Sequence, residues 1–177
     1  MKSEQIRKLV RLAVLSAIAV VLVAFVHFPL FASAPYLEYD PADAPVLIAG
    51  LMYGPWEGVA VTVVTAVIQG LTVSSGSGII GIIMHILATS CFVLATAFCS
   101  RKTNKVLSLI AGTIVMGLAM CVCNLIFTPI YTGTSVAAIA SMLLPVILPF
   151  NLVKAGINSV IAFIVNTALE KVFSKKQ

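Results

Sequence analysis

Charge is scarce in this chain: of its 177 residues only 10% are charged, and six are acidic. A water-soluble domain carries about a quarter charged residues, so an ordinary soluble globule is excluded. Histidine is rarer still, with only His27 and His85, and four cysteines are scattered without paired spacing. No metal-ligand set is therefore expected. Cys91, Cys99, Cys121 and Cys123 lie within or at the ends of apolar runs and read as small buried apolar residues. No glycine-rich phosphate loop of the Walker type is present, so the chain does not hydrolyse nucleotide itself. No serine or cysteine has a base at a motif spacing, which leaves no catalytic constellation and no cofactor to serve one. The net charge of +5 does not indicate nucleic acid, because the cations flank apolar runs and form no basic face with stacking aromatics.

What is abundant is apolar surface, at 60% of residues. Runs of spanning length or near it fall at about 6–27, 44–53, 55–72, 79–99, 106–127 and 148–169, the second of them short. This predicts an all-α polytopic membrane protein in lipid, a single domain over residues 1–177 with six helices. The linkers punctuate the runs: a Pro/Ala-rich loop at 28–43, Gly54-Pro55, and a Ser/Gly turn at Ser74–Gly78. Between Tyr131 and Pro149 the pattern is weaker, with a helical stretch at Val136–Leu144 too short to span. The N-terminal run is about twenty residues long with no clear cleavage site before His27, so it reads as a retained helix rather than a secretory signal.

Ten of the eleven Lys and Arg residues mark helix ends. Lys2, Arg7, Lys8 and Arg11 lie at the start of the first helix, Arg101, Lys102 and Lys105 between the fourth and fifth, and Lys171, Lys175 and Lys176 at the end of the sixth. Six crossings put all three groups on one side, and the positive-inside rule makes that side cytoplasmic, with both termini. Glu38, Asp40 and Asp43 then lie outside, in the loop after the first helix.

The eleventh cation, Lys154, sits inside an apolar stretch, where a charge is costly unless it is paired or faces a wet cavity. Asn151, Lys154 and Asn158 share a helix face at i, i+3, i+7 and could converge on one cavity, or bond between helices. Asn124 lies near the same outer level. Amides and an ammonium suit a heterocycle with carbonyls and ring nitrogens. The loop at 28–43 carries Phe28, Phe31, Tyr36 and Tyr39 with no Lys or Arg, as a lid over a ligand or an interfacial aromatic belt would. In the first helix Ala13 and Ala17 lie four apart, allowing close approach of another helix from inside or outside the chain.

Three segments carry a resemblance to a known family. Tyr36-Leu37-Glu38-Tyr39-Asp40-Pro41-Ala42-Asp43-Ala44-Pro45 looks like Phe-Leu-x-x-Asp-x-Ser-Asp-Ile-Pro, Gly54-Pro55-Trp56-Glu57-Gly58 like Gly-Pro-x-x-Gly, and Pro149-Phe150-Asn151-Leu152-Val153-Lys154-Ala155-Gly156 like Pro-Phe-Asn-x-x-Lys-Gly. In order and spacing the chain resembles the riboflavin-specific substrate-binding (S) components of energy-coupling factor (ECF) vitamin transporters. The resemblance implies capture of riboflavin, as transported ligand rather than cofactor, near the outer face of a prokaryotic cell membrane. It implies as partners a transmembrane coupling subunit, docked through Ala13 and Ala17, and two cytoplasmic ATPase subunits. Asn151 and Lys154 would contact the isoalloxazine ring, with Asn124 and Asn158 as further candidates and Tyr36, Leu37 and Asp43 contributed by the lid segment. The chain departs from the pattern where riboflavin members tend to have Gly-Glu-x-x-Asn: it reads Gly81-Ile82-Ile83-Met84-His85, so His85 stands as a candidate in place of an amide.

Two other classes are weighed against this. A stand-alone secondary transporter would usually show internal repeats, and none is visible. An intramembrane enzyme would need a nucleophile or metal set at one depth, which the scattered His and Cys do not supply. Within the S-component reading, another vitamin or a flavin analogue is the alternative ligand.

Overall fold

Apolar runs of this length must satisfy their backbone hydrogen bonds internally, and helices do so. A computed structural model describes residues 2–31, 37–73 and 78–174. Its helices are α1 (Lys2–Phe25), α2 (Asp43–Tyr53), α3 (Pro55–Thr72), α4 (Gly78–Cys99), α5 (Lys105–Thr132), α6 (Val136–Met142) and α7 (Leu148–Ser174). Four stretches are long and apolar enough to cross a bilayer: Ser3–Phe25, Gly78–Cys99, Lys105–Thr132 and Val136–Val172. The shorter α2 and the more polar α3, with Glu57 and Gln69, complete six helical units.

Several helices outrun the apolar stretches that announced them. α1 begins at Lys2 rather than near 6 and ends at Phe25, α5 continues to Thr132 rather than 127, and α7 continues to Ser174 rather than 169. Hydropathy marks where the chain leaves hydrocarbon, whereas a helix stops where its hydrogen bonds find another partner. α5 shows both ends of that rule: the Asn104 side chain accepts from the Leu107 N–H at 2.8 Å to start it. Gly133, at φ 70°, turns its N–H back to the Pro129 carbonyl to end it.

The weak stretch between Tyr131 and Pro149 is also helical. Ser135 caps α6, and α6 joins α7 through a wide π turn over Leu143–Ile147. Pro145 explains the turn: it has no N–H, and its ring crowds the preceding turn, which a wider helix relieves. The loop after α1 is not wholly irregular either. Phe28–Pro29 (β1) pairs antiparallel with Glu38–Tyr39 (β2), Phe28 facing Tyr39.

α2 is the axis of the bundle. It lies against α1, α3, α4 and α7, and every residue from Asp43 to Gly50 is buried. Leu47 packs with Val61, Phe92, Val93 and Met116 in the main apolar core. The outer surface is apolar as lipid requires, with Ile110, Ile114, Leu118, Val122 and Ile126 exposed at every fourth position of α5.

The cation clusters gather at one end. Lys8 pairs with Glu57, Arg101 acts on the same carboxylate through space, and Lys105 reaches Glu170 at 2.7 Å. Thus the starts of α1, α3 and α5 and the end of α7 share an end, as the charge distribution in the sequence anticipates.

A close crossing joins α2, α3 and α4. A Cβ at Gly58 would lie 2.9 Å from the Gly50 Cα and 2.3 Å from Val93 Cγ1, and the Gly50 backbone has no side chain that could yield. Gly58→Val should therefore destabilise the fold by about 1–3 kcal/mol, the usual cost of overpacking. A lowered thermal midpoint of the detergent-purified variant checks this; an unchanged midpoint would mean that the helices separate freely.

Candidate functional site

At the end opposite the cation clusters, a cavity of about 790 Å³ opens between the bundle and the loop after α1. That volume lies within the range of small-molecule sites. Its walls come from every long helix and from the loop: Val23 of α1 and His27 just after it, Gln69 of α3, His85 of α4, Asn124 and Thr128 of α5, and Phe150 and Lys154 of α7. Leu37, Glu38 and Asp40 close it from the loop side. The lining combines apolar surface with a few convergent polar groups, the usual make-up of a ligand pocket.

Lys154 enters the cavity wall but is not a free cation. Its Nζ donates to Asp40 Oδ2 at 2.6 Å, with the two side chains only 10% and 5% exposed. The other Asp40 oxygen accepts from the Ala42 N–H at 3.1 Å, and the Asp40 carbonyl accepts from Asn158 Nδ2 at 3.0 Å. Burial by itself would raise the Asp40 carboxyl, but the ammonium beside it outweighs that and holds it below the ordinary carboxylate value. The loop is thereby tied to α7 by an ionic bond and an amide bond at one residue.

The predicted polar stripe on α7 divides. Lys154 lines the cavity, whereas Asn158 is fully buried and spends its amide N–H on the loop. Asn151, also buried, donates to the Ile147 carbonyl at 2.8 Å, within the π turn. Neither asparagine is part of the lining. Asn124 is: its Nδ2 donates to the Met120 carbonyl and its Oδ1 accepts from Thr128.

His85 also lines the cavity, with Nε2 3.9 Å from Asp43 Oδ1. Asp43 itself is completely buried behind the wall, accepting from the Thr89 hydroxyl at 3.2 Å, and its Oδ2 has no hydrogen-bond partner among the described residues. Leu37 lines the cavity, and Tyr36 lies outside the described residues. Ala13 and Ala17 are exposed on α1 among exposed Val10, Val14 and Ile18, so they do not serve internal packing.

Asp40 is the residue that sequence reasoning passed over, although it stands in a quoted segment. The signal was available, because an interior ammonium requires a carboxylate and few carboxylates exist in this chain. Gln69 and Thr128 gave no comparable signal, since a lone amide or hydroxyl on a helix is commonplace.

The aromatic groups hold the loop in place. Phe28 stacks obliquely on Tyr39 with ring centres 5.4 Å apart, and Phe31 meets Phe150 edge-on at 6.2 Å. Phe150 also lines the cavity, so the loop rests on the wall it covers.

Known proteins share this fold. The family described as "ECF transporter, substrate-specific component" matches residues 7–166. The chain is 34% identical over 169 residues to the riboflavin transporter FmnP of Bacillus subtilis, covering 89% of this chain and 88% of that protein. It is 30% identical over 181 residues to the riboflavin transporter RibU of Streptococcus thermophilus, covering 96% and 85%. A solved structure reported under "Structure and mechanism of the S component of a bacterial ECF transporter" superposes with a TM-score of 0.81 at 28% identity, covering 96% of this chain and 98% of that one. The family match spans nearly the whole chain, and by it the chain belongs to the substrate-specific components of ECF transporters, a family of membrane transport proteins rather than enzymes.

Proposed function

We propose that this chain captures riboflavin at the outer face of a prokaryotic cell membrane and passes it inward together with an ECF module. The observation that carries the reading is the cavity of about 790 Å³ under the loop after α1, in a chain whose similar proteins are riboflavin transporters. A three-ring heterocycle with carbonyls and ring nitrogens fits a pocket of apolar walls and a few fixed donors. Lys154 has N–H groups beyond the one given to Asp40, and these would meet a ring carbonyl. Asn124, Gln69 and Thr128 offer further polar contacts around the wall, and His85 takes the place of an amide on α4.

The basic end faces the cytoplasm, which directs the cavity outward. Transport needs an energy source, and no phosphate-binding loop lies in this chain, so hydrolysis is supplied by partners. Two cytoplasmic ATPase subunits and a transmembrane coupling subunit fill that role. The exposed Ala13/Ala17 face of α1 is where the coupling subunit approaches, because small side chains let two helices come close in lipid.

Titration of riboflavin into the purified protein in detergent should quench its fluorescence saturably at one ligand per chain. No quenching by folded protein would reject the riboflavin reading. Reconstituted alone, the protein should bind without flux, whereas unaided flux would mark a secondary transporter.

Two substitutions separate binding from coupling. Lys154→Ala should weaken riboflavin binding at least tenfold, since it removes a charged donor and leaves Asp40 buried without its partner. Unchanged affinity in equilibrium titration would place the ligand out of reach of α7. Ala13→Trp should keep binding and lose uptake in cells that supply the module; loss of binding instead would mean that α1 shapes the pocket.

A further inference from the structure

An ammonium in a pocket wall attracts anions unless something already neutralises it. Here Asp40 does so, at 2.6 Å, and is itself fixed by the Ala42 N–H and placed by Asn158 on its carbonyl. It is a built-in counter-ion, not a passing one. The remaining ionisable side chains on the described lining are Glu38, His27, His85 and Tyr131, with no further Lys or Arg. Segments 32–36 and 74–77 contain no charged residue in the sequence. Two carboxylates, Asp40 and Glu38, thus stand against the one ammonium of Lys154 on the described lining.

We propose that Asp40, supported by Glu38, is the residue that makes this site select the uncharged vitamin over its phosphorylated form. The inference rests on the riboflavin reading above. A phosphomonoester carries a charge of about −1.5 to −2 at neutral pH. Inside the cavity it would lose water without finding an unmatched cation, and Glu38, exposed at the cavity's edge, would add a screened repulsion. A flavin carbonyl asks only for a hydrogen bond, which Lys154 can give while still paired. Asp40 thus acts through Lys154 as a positioning and charge-setting residue, without having to touch the ligand.

The test compares two ligands on one protein. Riboflavin and riboflavin monophosphate are titrated by fluorescence quenching into wild type, Asp40→Asn and Glu38→Gln in detergent. Wild type should prefer riboflavin at least tenfold. Asp40→Asn keeps the side-chain shape but frees the ammonium, and should narrow that preference at least tenfold even if riboflavin itself binds less well. Glu38→Gln should narrow it severalfold.

A role confined to holding the loop would weaken both ligands in parallel. An unchanged ratio in a folded Asp40→Asn protein therefore overturns the inference while leaving the riboflavin reading intact. Should Asp40→Asn not fold, equal affinities in wild type, or a wild-type ratio in Glu38→Gln, overturns it instead. Folded wild type that binds neither flavin overturns both.

Discussion

The ion pair between Asp40 and Lys154 is the constraint on which the outer half of the molecule is arranged. A lysine on a membrane helix faces a desolvation cost of several kcal/mol, and so does a carboxylate brought to meet it. The cost is tolerable only if the geometry is close and the remaining valences are occupied, and here both conditions hold. Removing one member of such a pair typically costs about 3–5 kcal/mol, because the survivor stays buried. The loop after α1 must therefore descend onto α7, and the cavity is the space left beneath it.

The rest of the bundle makes that descent possible. α2 begins at Asp43, three residues after Asp40, and is buried at once against α1, α3, α4 and α7. Because α2 is short, it leaves the outer level open for the cavity while its own level is packed solid. The opposite end is polar in a different manner. Lys8 with Glu57, and Lys105 with Glu170 and Asn166, are partly exposed pairs at helix ends, individually worth little. They gather the cations at one face, which orients the protein in the bilayer more than it stabilises it.

Much of this was legible in the chain, because a bilayer leaves few solutions. Runs of apolar residues must be helices, Gly54-Pro55 must separate two of them, and a lone interior lysine must matter. Helix ends were less legible, since Asn104, Gly133 and Ser135 act through hydrogen bonds that hydropathy does not register. Pro145 lies in a widened turn that carries the helix on, which hydropathy does not register either. The α7 stripe was visible as a shared face, yet periodicity could not tell which of its members meets the cavity. Asn158 turns to the loop and Asn151 to its own helix because the loop carbonyl and the π-turn carbonyl lie nearest. A partner 114 residues away has no local signature: the scarcity of carboxylates narrowed the choice, and the fold picked Asp40 from among them.

That separation bears on how the protein is made. Asp40 and α2 leave the ribosome long before Lys154, and an eleven-residue helix of about 16 Å cannot span some 30 Å of hydrocarbon unaided. During synthesis this segment has neither its counter-ion nor the α7 surface that buries it. α1 is long and apolar enough to cross unaided, so it is the loop and α2 that lack their final surroundings until the last helix arrives. The bond that closes the outer end is thus among the last to form, and until α7 is in place Asp40 depends on water for the partner that Lys154 later supplies.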